Sequence, residues 1–259
     1  MALFTDGPVS SILDLNARDT QLLNVASTEN IDVTQKIALA QDELALDLTT
    51  LLNQLTYVDQ AFWLAPQPDI SCVVVTPALK LWHTLRSLEL VYADAYNNQL
   101  NDRYAGKRDQ FHAMGEAARE KLIQIGLGIA GCPVAQPAIP NLVTAAFLQG
   151  GDPLPDGTYY VTVSWINAQG EEGASAVPAA LATSACTLLI QPGSPPRYAT
   201  AWNVYVGTAP GTMSLQNASP LAPGQTWLQP GTLVTGGRAP GTGQSPSYIK
   251  PVPRMIQRG

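Results

Sequence analysis

The chain has 259 residues and a mass of 27.5 kDa, enough for one large domain or two ordinary ones, and its 46% hydrophobic content excludes a disordered chain. Charged residues make up only 13% of the sequence, about half the usual share. The net charge of −6 excludes a globally basic nucleic-acid-binding protein, because neutralising phosphates requires clustered Lys and Arg side chains.

The N-terminal segment lacks a basic region followed by an apolar one, so we expect no secretory signal. The uncharged run from Leu122 to Gly151 contains three prolines that a helix in lipid would tolerate poorly. We therefore expect no transmembrane segment, no membrane partner and a protein that stays in the cytoplasm where it is made. The widely spaced Cys72, Cys132 and Cys186 predict buried free thiols.

Composition divides the chain near residue 135. The part up to this residue carries 9 basic and 16 acidic residues, and the remainder carries 5 basic and 4 acidic ones. Gly plus Pro rises from 11 in the first part to 31 in the second. We predict a helical domain over residues 1–132, a proline-rich linker over 133–142, a β-sandwich over 143–247 and an extended basic tail over 248–259.

Capping residues mark two helix starts in the first part. Asp32 opens a capping-box sequence that ends at Gln35, and Thr76 precedes Pro77, a favourable first helical residue. Mostly apolar residues then recur at steps of three, four or seven, which is the spacing of one helix face. The three stripes are Ile37, Leu44, Leu48, Leu51 and Leu55; Leu81, Leu85, Leu88, Tyr92, Ala95 and Gln99; and Phe111, Met114, Ala118, Leu122 and Ile125.

A shorter stripe precedes these and predicts one first helix: Ile12, Leu15, Leu22 and Ala26. The helical domain is therefore predicted to be an α-helical bundle of three to five helices. The pattern does not decide whether residues 77–127 form one long helix or two helices joined at Gly106.

The second part has the two-residue period of β-strands. Apolar Tyr159, Val161, Val163 and Trp165 alternate with other residues, and further short strands are predicted near 186–190, 202–206, 213–215 and 226–228. Turn sequences rich in Gly and Pro separate these runs. Five to seven short strands in about 100 residues are typical of a β-sandwich, so the predicted fold class is α+β, with two domains.

Candidate chemical motifs are weak. The sequence Gly126–Gly131 matches the dinucleotide-binding glycine pattern, but a helical stripe leads into it and prolines follow it, so it predicts a helix exit. His83 and His112 lie alone on separate predicted helices and are expected at helix surfaces. The acidic pairs Asp42-Glu43 and Glu171-Glu172 are expected to be solvated or to lie in turns. We expect no catalytic residue, no cofactor and no metal.

The strand tryptophans Trp165, Trp202 and Trp227 are interpreted as core residues, with a ligand-stacking platform as the alternative. The tail joins positive charges to apolar residues and prolines. It either adds to a partner's surface or has no fixed position. The candidate partner-interface residues in it are Lys250, Arg254, Met255, Ile256 and Arg258.

Two pairs of segments resemble known families. Residues 31–43 and 92–104 resemble the head–tail adaptor (connector) proteins of tailed bacteriophages, a likeness that spans roughly residues 10–130. Residues 157–171 and 202–208 resemble immunoglobulin or fibronectin-III-type modules, although their order is the reverse of that in an ordinary fibronectin module. The resemblance implies an N-terminal α-helical bundle followed by an immunoglobulin-like β-sandwich.

The resemblance also implies a function. Such a protein is a structural, non-enzymatic component of the virion neck, synthesised in the bacterial host cytoplasm, and forms a homo-oligomeric, 12-fold ring between the portal protein and the tail or neck proteins. The ring encloses the channel through which genomic DNA passes without specific binding. In such adaptors the C-terminal segment docks onto the portal, so deletion of residues 248–259 is expected to abolish portal binding and leave the fold intact.

Two other functions stay open on the sequence alone. A capsid or tail surface module could use its immunoglobulin-like domain to contact a host surface or carbohydrate, which predicts exposed aromatic side chains and a monomer or trimer. An enzyme of unknown type is the third possibility, but the sequence offers no site for it.

Overall fold

A computed structural model describes residues 1–55, 68–98, 102–145 and 153–250. The described residues form an α+β protein with five α-helices in the N-terminal half and antiparallel sheets in the C-terminal half. The chain divides into two compact units. The helical unit contains residues 7–129 and the segment that begins at Pro246, and the β unit contains residues 1–6 and 130–245. Each unit thus includes a piece from the opposite end of the chain.

The helical unit is built around one central helix. Its helices are α1 (Ile12–Arg18), α2 (Leu22–Glu29), α3 (Val33–Leu55), α4 (Pro77–Asn98) and α5 (Ala105–Ile125). The other four helices all contact α4. Its side chains are consequently buried around most of its circumference, among them Leu79, Trp82, Leu85, Leu88, Val91, Tyr92 and Ala95.

Both helix starts that the sequence predicts are confirmed. The Asp32 carboxylate accepts hydrogen bonds from the backbone N–H of Thr34 at 2.9 Å and of Gln35 at 3.2 Å, at the first turn of α3. The Thr76 hydroxyl oxygen accepts from the N–H of Leu79 at 3.4 Å, at the first turn of α4. These side chains satisfy N–H groups that a helix leaves without an internal partner.

The helix breaks differ from the pattern in the sequence. The first apolar stripe belongs to two helices, α1 and α2, because the chain is extended at Asp19, where φ is −140°. Residues 77–127 contain two helices: α4 ends at Asn98, a single 3₁₀ turn covers Asp102–Tyr104, and α5 begins at Ala105. The second break therefore precedes Gly106, which lies inside α5.

His83 is the main error of the sequence analysis in this unit. It was expected at a helix surface, but its ring is fully buried because α4 is enclosed by other helices. Its Nδ1 lies 2.9 Å from Ser10 Oγ, and its Nε2 lies 3.2 Å from the carbonyl oxygen of Ile37. His112, in contrast, is exposed as predicted.

The partners of His83 define its protonation state. The Ile37 carbonyl can only accept, so Nε2 carries the proton and Nδ1 accepts from the Ser10 hydroxyl. Burial lowers the pKa of His83 from the ordinary 6.5 to about 4. The ring is therefore neutral at neutral pH and serves as a core residue with satisfied hydrogen bonds.

Two carboxylates are buried beside tyrosines in the same unit. The Tyr92 hydroxyl donates to Asp19 at 2.6 Å, Lys107 Nζ lies 3.2 Å from the same carboxylate, and the Tyr104 hydroxyl donates to Glu29 at 2.9 Å. Burial opposes ionisation of Asp19, but the hydrogen bond from Tyr92 and the Lys107 charge hold the pKa of Asp19 below its ordinary value. These contacts tie α2 and the α1–α2 connection to α4 and α5.

Nine strands occur in the described residues. The helical unit contains β1 (Leu127–Ile129) and β9 (Ser247–Ile249). The β unit contains β2 (Asn141–Ala145), β3 (Gly157–Asn167), β4 (Ala179–Thr183), β5 (Thr187–Gln191), β6 (Ala199–Gly207), β7 (Ser214–Leu215) and β8 (Trp227–Leu228). All five strand regions predicted from the sequence contain strands; β1, β2, β4 and β9 were not predicted.

The β unit consists of two antiparallel sheets, with strand orders β2-β5-β8 and β4-β3-β6-β7. Both sheets contribute side chains to one hydrophobic cluster. Trp165, Trp202 and Trp227 belong to this cluster and are almost fully buried, which confirms their interpretation as core residues. Burial of such side chains contributes roughly 1.5–3 kcal/mol each.

Acidification should destabilise the helical unit through His83. The unfolded chain takes up this proton near pH 6.5, whereas the folded ring takes it up only near pH 4. The free energy of unfolding therefore falls as the pH is lowered through this window, by up to about 3 kcal/mol. We expect the His83 ring-proton NMR signal to titrate with a midpoint near pH 4.

Two variants make this measurement specific, because the chain has only two histidines. His112→Gln leaves a single histidine signal and so assigns it. His83→Gln should flatten the pH dependence of unfolding between pH 6.5 and 4 relative to the unsubstituted chain. A His83 signal with a midpoint near 6.5 would contradict a buried neutral ring.

Candidate partner-binding surface

The C-terminal segment joins the helical unit through a two-stranded ribbon. Strand β9 pairs antiparallel with β1, with Ile249 opposite Leu127 and Ser247 opposite Ile129. Lys250 follows β9 directly and is exposed. Backbone hydrogen bonds of β9 therefore fix the residues that directly precede the predicted interface segment to the helical unit.

The chain enters this ribbon from α5 at a glycine. Gly126 has φ of +107°, a conformation that favours glycine, and its N–H donates to the Leu122 carbonyl at 2.8 Å. Strand β1 begins at the next residue. The Gly126–Gly131 sequence thus leaves a helix and enters a strand, the reverse of the order in a dinucleotide-binding turn, and its interpretation as a helix exit is confirmed.

Gly128 allows three segments to pack closely at the ribbon. A Cβ atom added to it would lie 2.6 Å from Thr76 Cγ2 and 2.9 Å from Pro246 Cβ. Its carbonyl accepts a hydrogen bond from the Val74 N–H at 2.9 Å, and Val73 forms a bridge with the neighbouring Ile129. Strand β1 therefore lies between the segment that leads into α4 and β9.

Of the five candidate interface residues, the structure describes Lys250 alone. The other four lie outside the described part of the chain: Arg254, Met255, Ile256 and Arg258. The structure does change the expected effect of a deletion. Removing residues 248–259 would take Tyr248 and Ile249 out of β9, so a deletion that spares the ribbon must begin at residue 251.

Five Lys and Arg side chains of the helical unit are held in ion pairs, whereas Arg18, Arg119 and Lys121 have none among the described residues. The pairs are Lys36–Asp94 at 2.7 Å, Lys80–Asp14 at 2.8 Å, Arg86–Glu43 at 2.7 Å, Arg86–Glu89 at 2.6 Å, Lys107–Asp19 at 3.2 Å and Arg108–Asp109 at 2.7 Å. Exposed carboxylates with no ion pair among the described residues include Asp42 and Asp47 on α3 and Glu116 and Glu120 on α5. Asp42 is solvated as predicted, whereas its neighbour Glu43 binds Arg86.

A second polar cluster lies in the β unit, and the sequence analysis missed it. Glu172 was expected to be solvated or in a turn, but its side chain is only 11% exposed. Ser164 Oγ and the Tyr205 hydroxyl donate to one of its carboxylate oxygens, and Arg238 lies 2.8 Å from the other. Burial and the Glu172 carboxylate raise the pKa of Tyr205 to about 12.

Glu171 also has internal partners. Its carboxylate accepts from Asn167 and from Gln244, both at 3.0 Å. Gln244 in turn accepts from the Val134 N–H at 2.7 Å and donates to the Cys132 carbonyl at 3.0 Å. Glu171 does lie at the end of a turn, since its carbonyl accepts from the Asn167 N–H at 3.0 Å. The expectation that the two carboxylates are solvated is wrong, because the chain turns back alongside β3, where Glu172 pairs with Ile166, and brings both side chains to donors. Every polar group named in these clusters already has a partner within the chain.

Other kinds of site find little support in the described ranges. These residues contain no group of three or more His, Cys, Asp or Glu side chains that could hold a metal ion. The three cysteines, all within the described ranges, form no disulfide, as predicted, but each is partly exposed rather than buried. No helix in the described ranges is long and apolar enough to span a bilayer.

The sequence matches no known protein-family model, and no curated protein is significantly similar to it.

Gly128→Ala should destabilise the ribbon. The added methyl group would overlap Thr76 and Pro246, and overpacking of this kind costs about 1–3 kcal/mol. The measurements are urea unfolding and amide hydrogen exchange in β9, which should become faster. Gly115→Ala is the matched control, because no atom beyond the adjacent residues and the local helix backbone lies within 4 Å of the new methyl group, and the change should stabilise α5 by up to about 1 kcal/mol. Equal effects of the two substitutions would rule out the close-packing role of Gly128.

Glu172→Gln should lower the stability of the β unit by about 1–3 kcal/mol, because the buried donors Ser164 and Tyr205 lose a charged acceptor. Chemical unfolding followed by tryptophan fluorescence measures this loss. Arg238→Gln tests the other partner and should cost less than about 1 kcal/mol, since Arg238 is mostly exposed. If Arg238→Gln costs as much as Glu172→Gln, the buried hydroxyl contacts are not the source of the stability.

Proposed function

We propose that this chain is a non-enzymatic structural protein of a tailed-bacteriophage virion, a head-to-tail adaptor. In this proposal copies form a homo-oligomeric ring, 12-fold by resemblance, between the portal protein and the tail or neck proteins. The observation that carries the proposal is the β1–β9 ribbon. It attaches the basic C-terminal segment to the helical unit, which is the part of the chain that resembles adaptors. The adaptor-like helices and the attachment point of the segment therefore belong to the same unit.

The charge distribution of the helical unit supports a channel for DNA. Five of its cations are used in internal ion pairs, and exposed carboxylates without an ion pair among the described residues remain on α3 and α5. Many copies of such a surface around a closed ring repel phosphate groups, so DNA passes without specific binding. A ring whose channel surface is basic would contradict this part of the proposal.

For the β unit we propose an immunoglobulin-like module with a permuted strand order. Such modules pair strands in the spatial orders A-B-E and G-F-C, with C′ beyond C in some of them. The order β2-β5-β8 fits A-B-E, and β4-β3-β6-β7 fits G-F-C-C′. In this assignment the F–G hairpin comes before B in the sequence. It accounts for the reversed order of the two segments that resemble fibronectin modules, residues 157–171 and 202–208.

The alternative of a carbohydrate-binding surface module has less support. It predicts exposed aromatic rings on the β unit, but Trp165, Trp202 and Trp227 lie in the hydrophobic cluster. The carboxylate clusters are equally poor candidates for enzyme chemistry, since their donors and acceptors are committed to one another.

The proposal is tested with the portal protein of the same virus. A chain without residues 251–259 keeps β9 and should retain its circular dichroism spectrum and melting temperature, but lose binding to portal rings. Negative-stain images of the full chain with portal should show a ring of about a dozen added subunits.

Charge substitutions provide the matched comparison. Arg254→Glu with Arg258→Glu should weaken portal binding, whereas Arg119→Glu with Lys121→Glu, the same change in charge on α5, should not. Unchanged assembly of the truncated chain would refute the role of the tail. A failure of the full chain to bind portal would refute the adaptor function itself.

A further inference from the structure

The outward face of α3 carries two leucines. Leu39 is 42% exposed and Leu46 is 73% exposed, and a spacing of seven residues places them on the same side of the helix. The buried side of α3, which includes Leu44 and Leu48, lies opposite. The exposed position between the two leucines is Asp42. We call Leu39, Asp42, Leu46 and the following exposed Thr50 the outer face of α3.

This face combines uncovered apolar area with an unpaired charge. The Asp42 side chain has no ion pair or hydrogen bond among the described residues, and the side chain of Asp47, nearby on the helix, has none either. The neighbouring carboxylate of Glu43 binds Arg86 and is therefore already compensated. A ligand for the face should thus present apolar side chains next to positive charges.

The chain itself contains a segment with this chemistry. Residues 251–258 include Val252, Met255 and Ile256 beside Arg254 and Arg258, and they contain no acidic residue. The segment follows Lys250 in the sequence, and the ribbon that ends there belongs to the same unit as α3. Eight residues can span up to about 28 Å when extended, and the distance along a helix from Leu39 to Leu46 is only about 11 Å.

The ribbon lies at the end of the helical unit where α3 ends and α4 begins. The ion pairs Lys36–Asp94 and Glu43–Arg86 make α3 and α4 antiparallel, so the C-terminal half of α3 lies beside the start of α4. The start of α4 is also where Thr76 approaches Gly128 of β1. The ribbon therefore ends near the C-terminal end of α3. Leu46 lies nine residues before Leu55, the last residue of α3, which is about 14 Å along the helix axis.

We propose that in the free protein residues 251–258 bind the outer face of α3 of the same chain. Val252, Met255 or Ile256 cover Leu39 and Leu46, and an arginine pairs with Asp42. The consequence for assembly rests on the proposed function: portal takes up the segment, and the outer face of α3 becomes free for a neighbouring subunit in the ring. Portal binding and ring formation are then coupled through one segment.

Limited trypsin digestion of the full chain tests this docking. The bond after Arg254 is protected while the segment is bound, so the cleavage rate reports the undocked fraction. Leu46→Ser and Asp42→Lys should each accelerate cleavage after Arg254, measured by mass spectrometry, by about three- to tenfold. High salt should reduce the contribution of Asp42.

Matched controls use equally exposed positions elsewhere on the unit. Leu13→Ser on α1, where the leucine is 78% exposed, and Glu116→Lys on α5 should leave the cleavage rate unchanged. Circular dichroism should show the same helix content in all four variants. Equal cleavage rates in the unsubstituted chain and in Leu46→Ser would overturn the proposal.

Dilution of the protein distinguishes the segment of the same chain from that of a second copy as the occupant of the outer face of α3. Docking within one chain gives protection that is independent of protein concentration, whereas protection that disappears on dilution identifies a second copy and overturns the proposal. The portal-binding measurement is independent of both outcomes. A protein that docks its tail but never binds portal would refute the adaptor function alone, and one that binds portal without tail protection would refute the docking alone.

Discussion

The enclosure of α4 is the constraint on which the helical unit depends. A helix surrounded on most sides must satisfy every polar group it carries from within the protein. The His83 ring does so through Ser10 and Ile37, and the Tyr92 hydroxyl does so through Asp19. At its first turn, α4 also supports the approach of β1, so the element that forms the core also positions the base of the C-terminal segment.

Periodicity in the sequence predicted the elements that are long and have two distinct faces. The leucines of α3, the apolar positions of α4 and the alternation in β3 follow directly from their helix or strand geometry. The β1–β9 ribbon could not be found this way, because three-residue strands have no measurable period and their pairing joins positions about 120 residues apart in the sequence. The break at Asp19 was missed because α1 and α2 share one apolar stripe.

Polar residues were the less predictable part of the candidate sites. A buried neutral histidine and an exposed one look alike in a sequence, and the difference between His83 and His112 arises only from the packing of neighbouring helices. Glu172 is similar, since its donors Ser164 and Tyr205 come from two different strands. The tail, by comparison, was recognisable from its charges and prolines, while the structure added where it is attached.

The exchange of terminal segments between the two units has a practical consequence for dissecting the protein. A fragment that stops at residue 132 lacks β9, and one that starts at residue 133 lacks the first six residues that belong to the β unit. Neither half is therefore a complete folding unit when it is expressed by itself. A chain in which residues 7–129 are joined by a short linker to residues 246–250 keeps β1 and β9 together in one continuous polypeptide, which makes it the better starting point for studying the helical unit in isolation.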